Sequence, residues 1–363
     1  MTASELREEP GRPGRPAPGR PLRLAVSASA LTPESVDFVT EAERLGADAA
    51  WSAELWSYDA LTQLGYLAAR TSRIALGTSI VQLGARTPAM LAMSAMSLQQ
   101  LTGGRFRLGI GASGPQVMEG WHGVRFRRPV QATRETIEII RVISRGDRLE
   151  YHGQVYDLPL PDSQGRAIRS RATPVHVPVY IAAIGPANLR LTGELADGWL
   201  GNAFIPEAAE AFLAPLREGA RLAGRTLADL DLQIPVAVEF TEDVDEAVAR
   251  HAAGYAFTIG AMGSATTNFY NNAFARQGFG EQVAEVARLW RDGRREEAAR
   301  LVPLEIGEKT NLLGTPAMIA DRIRLHRAAG VSTLQLKLDG PLSARLDTLA
   351  RITELVSAVN KEY

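Results

Sequence analysis

From Leu22 onward, short runs rich in β-branched and aromatic residues alternate with longer amphipathic runs, and the pattern repeats eight times. The strand-like runs are Leu22–Ser27, Asp48–Ala53, Arg73–Gln82, Arg105–Gly111, Val177–Ile184, Asp197–Leu200, Leu232–Phe240 and Ser332–Leu338. Helical runs between them include Tyr58–Arg70, Pro129–Ser144, Pro186–Leu195, Glu207–Ala223 and Val244–Ala253. Three helices open on Thr-Pro, at Thr32-Pro33, Thr87-Pro88 and Thr315-Pro316. There the threonine oxygen serves as N-cap and the proline ring presets the first helical φ. Eight β/α units predict a closed parallel (β/α)8 barrel of the TIM type, for which about 250 residues suffice. The surplus is placed in an N-terminal tail and two insertions. One follows the fourth strand at 146–176, with a small hairpin at LEYHGQVYDL, and the other follows the seventh at 255–313 and is largely helical. A doubly wound sheet would put its glycine-rich loop after the first strand. In this chain that loop follows the fourth.

Composition narrows the function. Of 363 residues, 45% are hydrophobic and 22% charged, with a formal charge of −1, so nothing draws the chain to nucleic acid or an anionic membrane. It has no cysteine, which removes thiolate chemistry, disulfides and iron–sulfur clusters and fits a cytoplasmic location. Five scattered histidines lack ligand spacing, so no metal site is expected. Residues 1–21 are dominated by Pro, Gly and Arg and read as a disordered tail, leaving 22–363 as the barrel domain.

In such barrels chemistry gathers where strands end. After strand four, GIGASGPQVMEGWHG places Gly109, Gly111 and Gly114 at G-x-G-x-x-G spacing and ends near His122. Glycines there let backbone amides approach an anion, and Pro115 can open a short helix whose N-terminus faces it. A tight turn without a ligand is the plain alternative. The segment is not a G-x-S-x-G nucleophile elbow. After strand five, Ala182–Asn188 (AAIGPAN) offers a second helix N-terminus at Gly185-Pro186. Glu54 closes strand two, as a proton relay or as a partner for an arginine. His122 can donate a proton or simply hydrogen-bond within its loop. Trp51, Trp56, Trp121 and Trp199 are candidates for pocket walls or for core. Arg125, Arg127 and Arg128 precede a helix start, where cations oppose the helix dipole. They would face either an anionic ligand or Glu135 and Glu138. His152, His176, His251 and His326 are read as structural residues on insertions or helix surfaces.

The long segment from Trp51 to Gly123, together with Tyr180–Trp199 and Phe269–Pro303, resembles the luciferase-like flavin and deazaflavin oxidoreductases. It is most similar to the branch that uses coenzyme F420, which includes the methylene-tetrahydromethanopterin reductases. The resemblance implies the same barrel and hydride transfer between the deazaflavin C5 and a small organic substrate. It also implies a homodimer. Ala112, Ser113, Gly114 and Ala182 would lie against the cofactor, and Ala183, Ile184 and Gly185 against its phosphate. Ser79–Ile80 would be a non-prolyl cis peptide backing the ring, with Glu54 and His122 as catalytic candidates and Glu54 also placed to contact and polarise the cofactor. A sugar-phosphate branch has an Asp-His pair at strand two and an acid after strand four, where this chain has Glu54-Leu55 and Gly114. Those departures argue against a sugar phosphate. Two alternatives on the same fold are an FMN-dependent monooxygenase and a non-catalytic deazaflavin carrier.

Overall fold

In the computed structural model, which describes residues 20–28, 32–262 and 268–362, all eight expected strands form. They are β1 (Arg23–Ser27), β2 (Ala49–Ser52), β3 (Ala75–Thr78), β4 (Phe106–Gly111), β5 (Val179–Ala182), β6 (Gly198–Leu200), β7 (Asp231–Phe240) and β8 (Thr333–Lys337). Each pairs in parallel with the next, and β8 returns to β1, which closes the barrel. The tail lies outside the described residues except for its last two positions.

Alternation along the strands sorts the side chains. Leu24, Val26, Leu108, Ile181, Leu334 and Leu336 belong to the large cluster beneath the helices, and Ala25, Ala49, Trp51, Tyr180 and Leu200 to a separate inner one. At the N-terminal end of the barrel the interior is polar. Asp231 accepts from Ser332, Thr333, Gln233 and the Tyr180 hydroxyl and pairs with Arg23 at 2.7 Å. Thr32, Thr87 and Thr315 cap their helices as expected, each accepting from the backbone N–H three residues on.

Strand three is interrupted. Its continuation, Val81–Gln82, pairs with the end of β4 after the Ser79–Ile80 bond, which is cis. The first insertion holds the hairpin, Tyr151–His152 against Asp157–Leu158. Glu135, fully buried on the preceding helix, pins its turn by accepting from the backbone of Gln154, Val155 and Tyr156. Burial opposes its charge, but the hydrogen bonds outweigh that and hold its carboxyl below the usual range. The second insertion departs from expectation. The helix from Val244 runs to Ala261 rather than stopping at Ala253, because Ala256 and Ile259 continue its buried face. A short strand, Leu312–Gly314, pairs with the C-terminal half of β7. Three residues are too few to show a period in the sequence.

Candidate active site

The interrupted strand brings the expected strand ends together. The Ser79 N–H donates to the Ser52 carbonyl at 2.8 Å, and the Glu54 N–H donates to the Ile80 carbonyl at 3.1 Å, tying the bulge to the end of β2. On its other side Thr78 Oγ1 donates to the Gly109 carbonyl and accepts from the Gly109 N–H, at 2.7 and 2.8 Å. A Cβ on Gly109 would fall 1.8 Å from the Thr78 carbonyl oxygen, and one on Gly111 would fall 2.9 Å from Ile80 Cδ1. These two glycines are needed for the close approach of β3 to β4. Their amides are not an open cradle, which corrects the reading of the glycine spacing as three anion-facing positions.

Beyond Gly111 the loop does present backbone. Ala112, Ser113 and Gly114 are half-buried, Ser113 adopts φ 58°, and Gly114 starts the short helix Pro115–Gly120 with no side-chain cap. The end of β5 lies next to it through Ile110 and Ile181. Ala182 belongs to the barrel's inner cluster. Ala183 is fully buried beneath the helices, and its carbonyl accepts from Trp199 Nε1 at 2.8 Å. Gly185 starts the helix Pro186–Leu195, again without a side-chain cap. A Cβ built on Gly185 meets nothing within 4 Å. No packing inside the chain requires glycine there, and no side chain caps the amides of this helix start. That combination suits a phosphate at a helix N-terminus.

The titratable candidates form a chain. His122, half-buried, hydrogen-bonds through Nε2 to Gln82 Oε1. Gln82 is itself buried and donates from Nε2 to the Glu54 carbonyl at 3.2 Å. With the amide oriented by that bond, the ring donates from Nε2, which leaves Nδ1 as its acceptor nitrogen. Glu54 is buried, and both its oxygens are engaged. Arg86 reaches them at 2.8 and 2.9 Å, and the Ala60 N–H donates to Oε2 at 3.2 Å. Arg86 also contacts Asp59 at 2.9 Å. Donating to the Glu54 carboxylate raises the Arg86 pKa above its ordinary value. Of the two roles the sequence leaves open for Glu54, the geometry is that of the arginine partner.

Other expectations divide. Trp51 and Trp199 are core residues, whereas Trp56 and Trp121 are exposed beside Glu54 and His122. Glu138 bonds the Tyr151 hydroxyl and Arg134. With Glu135 holding the hairpin, neither carboxylate serves the Arg125–Arg128 run. Among these arginines Arg128 donates to Gln154 at 2.8 Å. His326 is not on a surface: it is fully buried, and its Nδ1 bonds the Arg322 carbonyl at 2.9 Å. Sequence reasoning missed the clamp that reaches over from the second insertion. Arg276 donates to the Ile184 carbonyl at 2.7 Å, and Gln277 accepts from the Ile205 N–H and donates to the Ala203 carbonyl. The two side chains thereby hold the ends of β5 and β6. Gln82, Arg86, Arg276 and Gln277 carry no local motif. Only their position near strand ends could have marked them.

The chain is similar to known proteins in sequence and in fold. A sequence profile of luciferase-like monooxygenases matches residues 22–333. A protein of Mycobacterium tuberculosis, provisionally assigned as a coenzyme F420-dependent oxidoreductase, is 36% identical over 82% of this chain and 88% of its own length. An F420-dependent glucose-6-phosphate dehydrogenase of Kineococcus radiotolerans is 32% identical over 63% of this chain and 72% of its own. Among solved structures, the coenzyme F420-dependent tetrahydromethanopterin reductase of Methanopyrus kandleri superposes with a TM-score of 0.73. That match covers 94% of this chain and 99% of that one at 23% identity. With the closed barrel and the profile match in agreement, the chain belongs to the luciferase-like family.

Proposed function

We propose that the chain is an F420-dependent oxidoreductase that binds the deazaflavin against the ends of β3, β4 and β5. The carrying observation is the pair of uncapped helix starts at Gly114 and Gly185, which follow the paired strands β4 and β5, with nothing near a Cβ built on Gly185. The Ala182–Gly185 and Ala112–Gly114 backbones hold the phosphate-bearing tail, and Ser79 and Ile80 support the ring. Bound there, the deazaflavin supplies or accepts a hydride at C5. His122 exchanges the accompanying proton with a small organic substrate through Nδ1. Glu54 acts at a distance, by fixing Arg86 and the peptide that orients Gln82. Arg125 and Arg127, both exposed, meet the acidic tail of the cofactor. The adjacent helices Ala60–Ala68 and Pro88–Leu101 expose Tyr66, Met90, Met93 and Leu101, an apolar stripe that a second copy covers in a homodimer.

Fluorescence titration of the apoprotein with F420 and with FMN tests the cofactor. F420 should bind at least about tenfold more tightly, a difference of about 1.4 kcal/mol. Tighter FMN binding, with turnover that requires oxygen, would replace this reading with a monooxygenase. F420 binding without turnover of any substrate class would leave a carrier.

A further inference from the structure

We infer that Lys337 is the substrate-binding cation of this site and that the substrate presents a carboxylate to it. This rests on the proposed cofactor position, because the inference concerns the wall opposite. In a closed ring of eight strands, β8 lies diametrically across from β4. Leu334 and Leu336 of β8 pack under the helices, so by alternation Thr333, Gln335 and Lys337 point into the barrel. Lys337 is the last residue of β8, at the end where barrel enzymes build their chemistry. A substrate between the β3–β5 ends and the far wall therefore has Lys337 behind it.

Its surroundings leave the charge unanswered. Among the described residues no carboxylate lies within ion-pair distance of Lys337, and Asp339, two residues on, acts only from farther away. On the neighbouring strand β7, Glu239 is already paired with Arg250 and His251, as Glu54 at the end of β2 is with Arg86. Solvent reaches the Lys337 side chain, yet protein hems it in enough that desolvation lowers its pKa. Composition sharpens the point, since Lys337 is one of only three lysines in the chain, with Lys309 and Lys361, among 40 basic residues. A single ammonium balances one negative charge, which favours a carboxylate over a phosphate dianion.

The scarcity of lysine makes the test direct. Reductive 13C-methylation keeps the charge and gives three lysine signals, assignable by Lys337→Gln and Lys309→Arg. Adding benzoate to the F420-loaded protein should shift the Lys337 signal alone and saturably, while neutral benzamide leaves it in place. By calorimetry, Lys337→Gln should weaken benzoate binding about tenfold or more. Equal responses to benzoate and benzamide, a response to inorganic phosphate alone, or no response would each overturn the inference. F420 affinity, read by fluorescence on the same samples, reports the cofactor reading separately. If F420 fails to bind while benzoate still shifts Lys337, the cofactor reading falls and the cation site stands.

Discussion

Replacing Glu54 by Gln separates a reacting carboxylate from a positioning one. In the structure Glu54 and Arg86 form a two-pronged pair with side chains 8% and 19% exposed. Removing one partner of a buried pair costs about 3–5 kcal/mol, because the other charge is left uncompensated. Two features reduce that figure here. Arg86 keeps Asp59 at 2.9 Å, and a glutamine oxygen can still accept from the Ala60 N–H. The expected loss is therefore about 2–3 kcal/mol. Arg86→Gln should cost a similar amount, and the double variant should fall short of the sum by about 1 kcal/mol or more, since the two mutations break one interaction. Urea denaturation followed by circular dichroism reads all three. Once corrected for the folded fraction, single-turnover hydride transfer in Glu54→Gln should fall less than about tenfold, against about a hundredfold for His122→Ala. Unchanged stability, within about 0.5 kcal/mol, with a hundredfold rate loss would refute the reasoning and make Glu54 a direct proton donor.

Gly185→Trp fills space that no other part of the chain uses, so its urea midpoint should match the wild type while F420 affinity drops about tenfold; a stability loss instead would mean that the glycine serves the fold. Affinity for F420 should rise with the length of its acidic tail and fall with salt, and Arg125→Glu with Arg127→Glu should erase the length dependence. Equal affinities for short and long tails in the wild type would leave these arginines merely solvated. Burial lowers His326 to about 4 from an unfolded value of 6.5. The unfolded chain then takes up a proton that the folded chain refuses, so stability present above about pH 6.5 is lost as pH falls toward 4. Between pH 7.5 and 4.5 the wild type should lose about 2 kcal/mol more than His326→Leu does.

What the sequence reveals depends on how far the relevant contact reaches. Strand order, the threonine caps and the hairpin are local or periodic, and they stand where the pattern places them. The cis bond at Ser79–Ile80 followed from family likeness, not from periodicity, which by itself suggests one unbroken strand. The site was legible as a set of strand ends but not as a set of pairs. Arg86 lies 32 residues from Glu54, and Gln82 lies 40 from His122. Nothing in either segment names its partner, because periodicity says which face a residue takes and not what meets it there. The glycine loop shows the limit most clearly. Gly109, Gly111 and Gly114 share one motif, yet the first two leave room for Thr78 and Ile80, and only Gly114 opens a helix start. A missing Cβ is equally useful against a neighbouring strand and against a ligand, so spacing alone cannot separate the two uses. The distinction lies in what a Cβ would touch. At Gly185 it would touch nothing, so contacts within the chain do not account for that glycine.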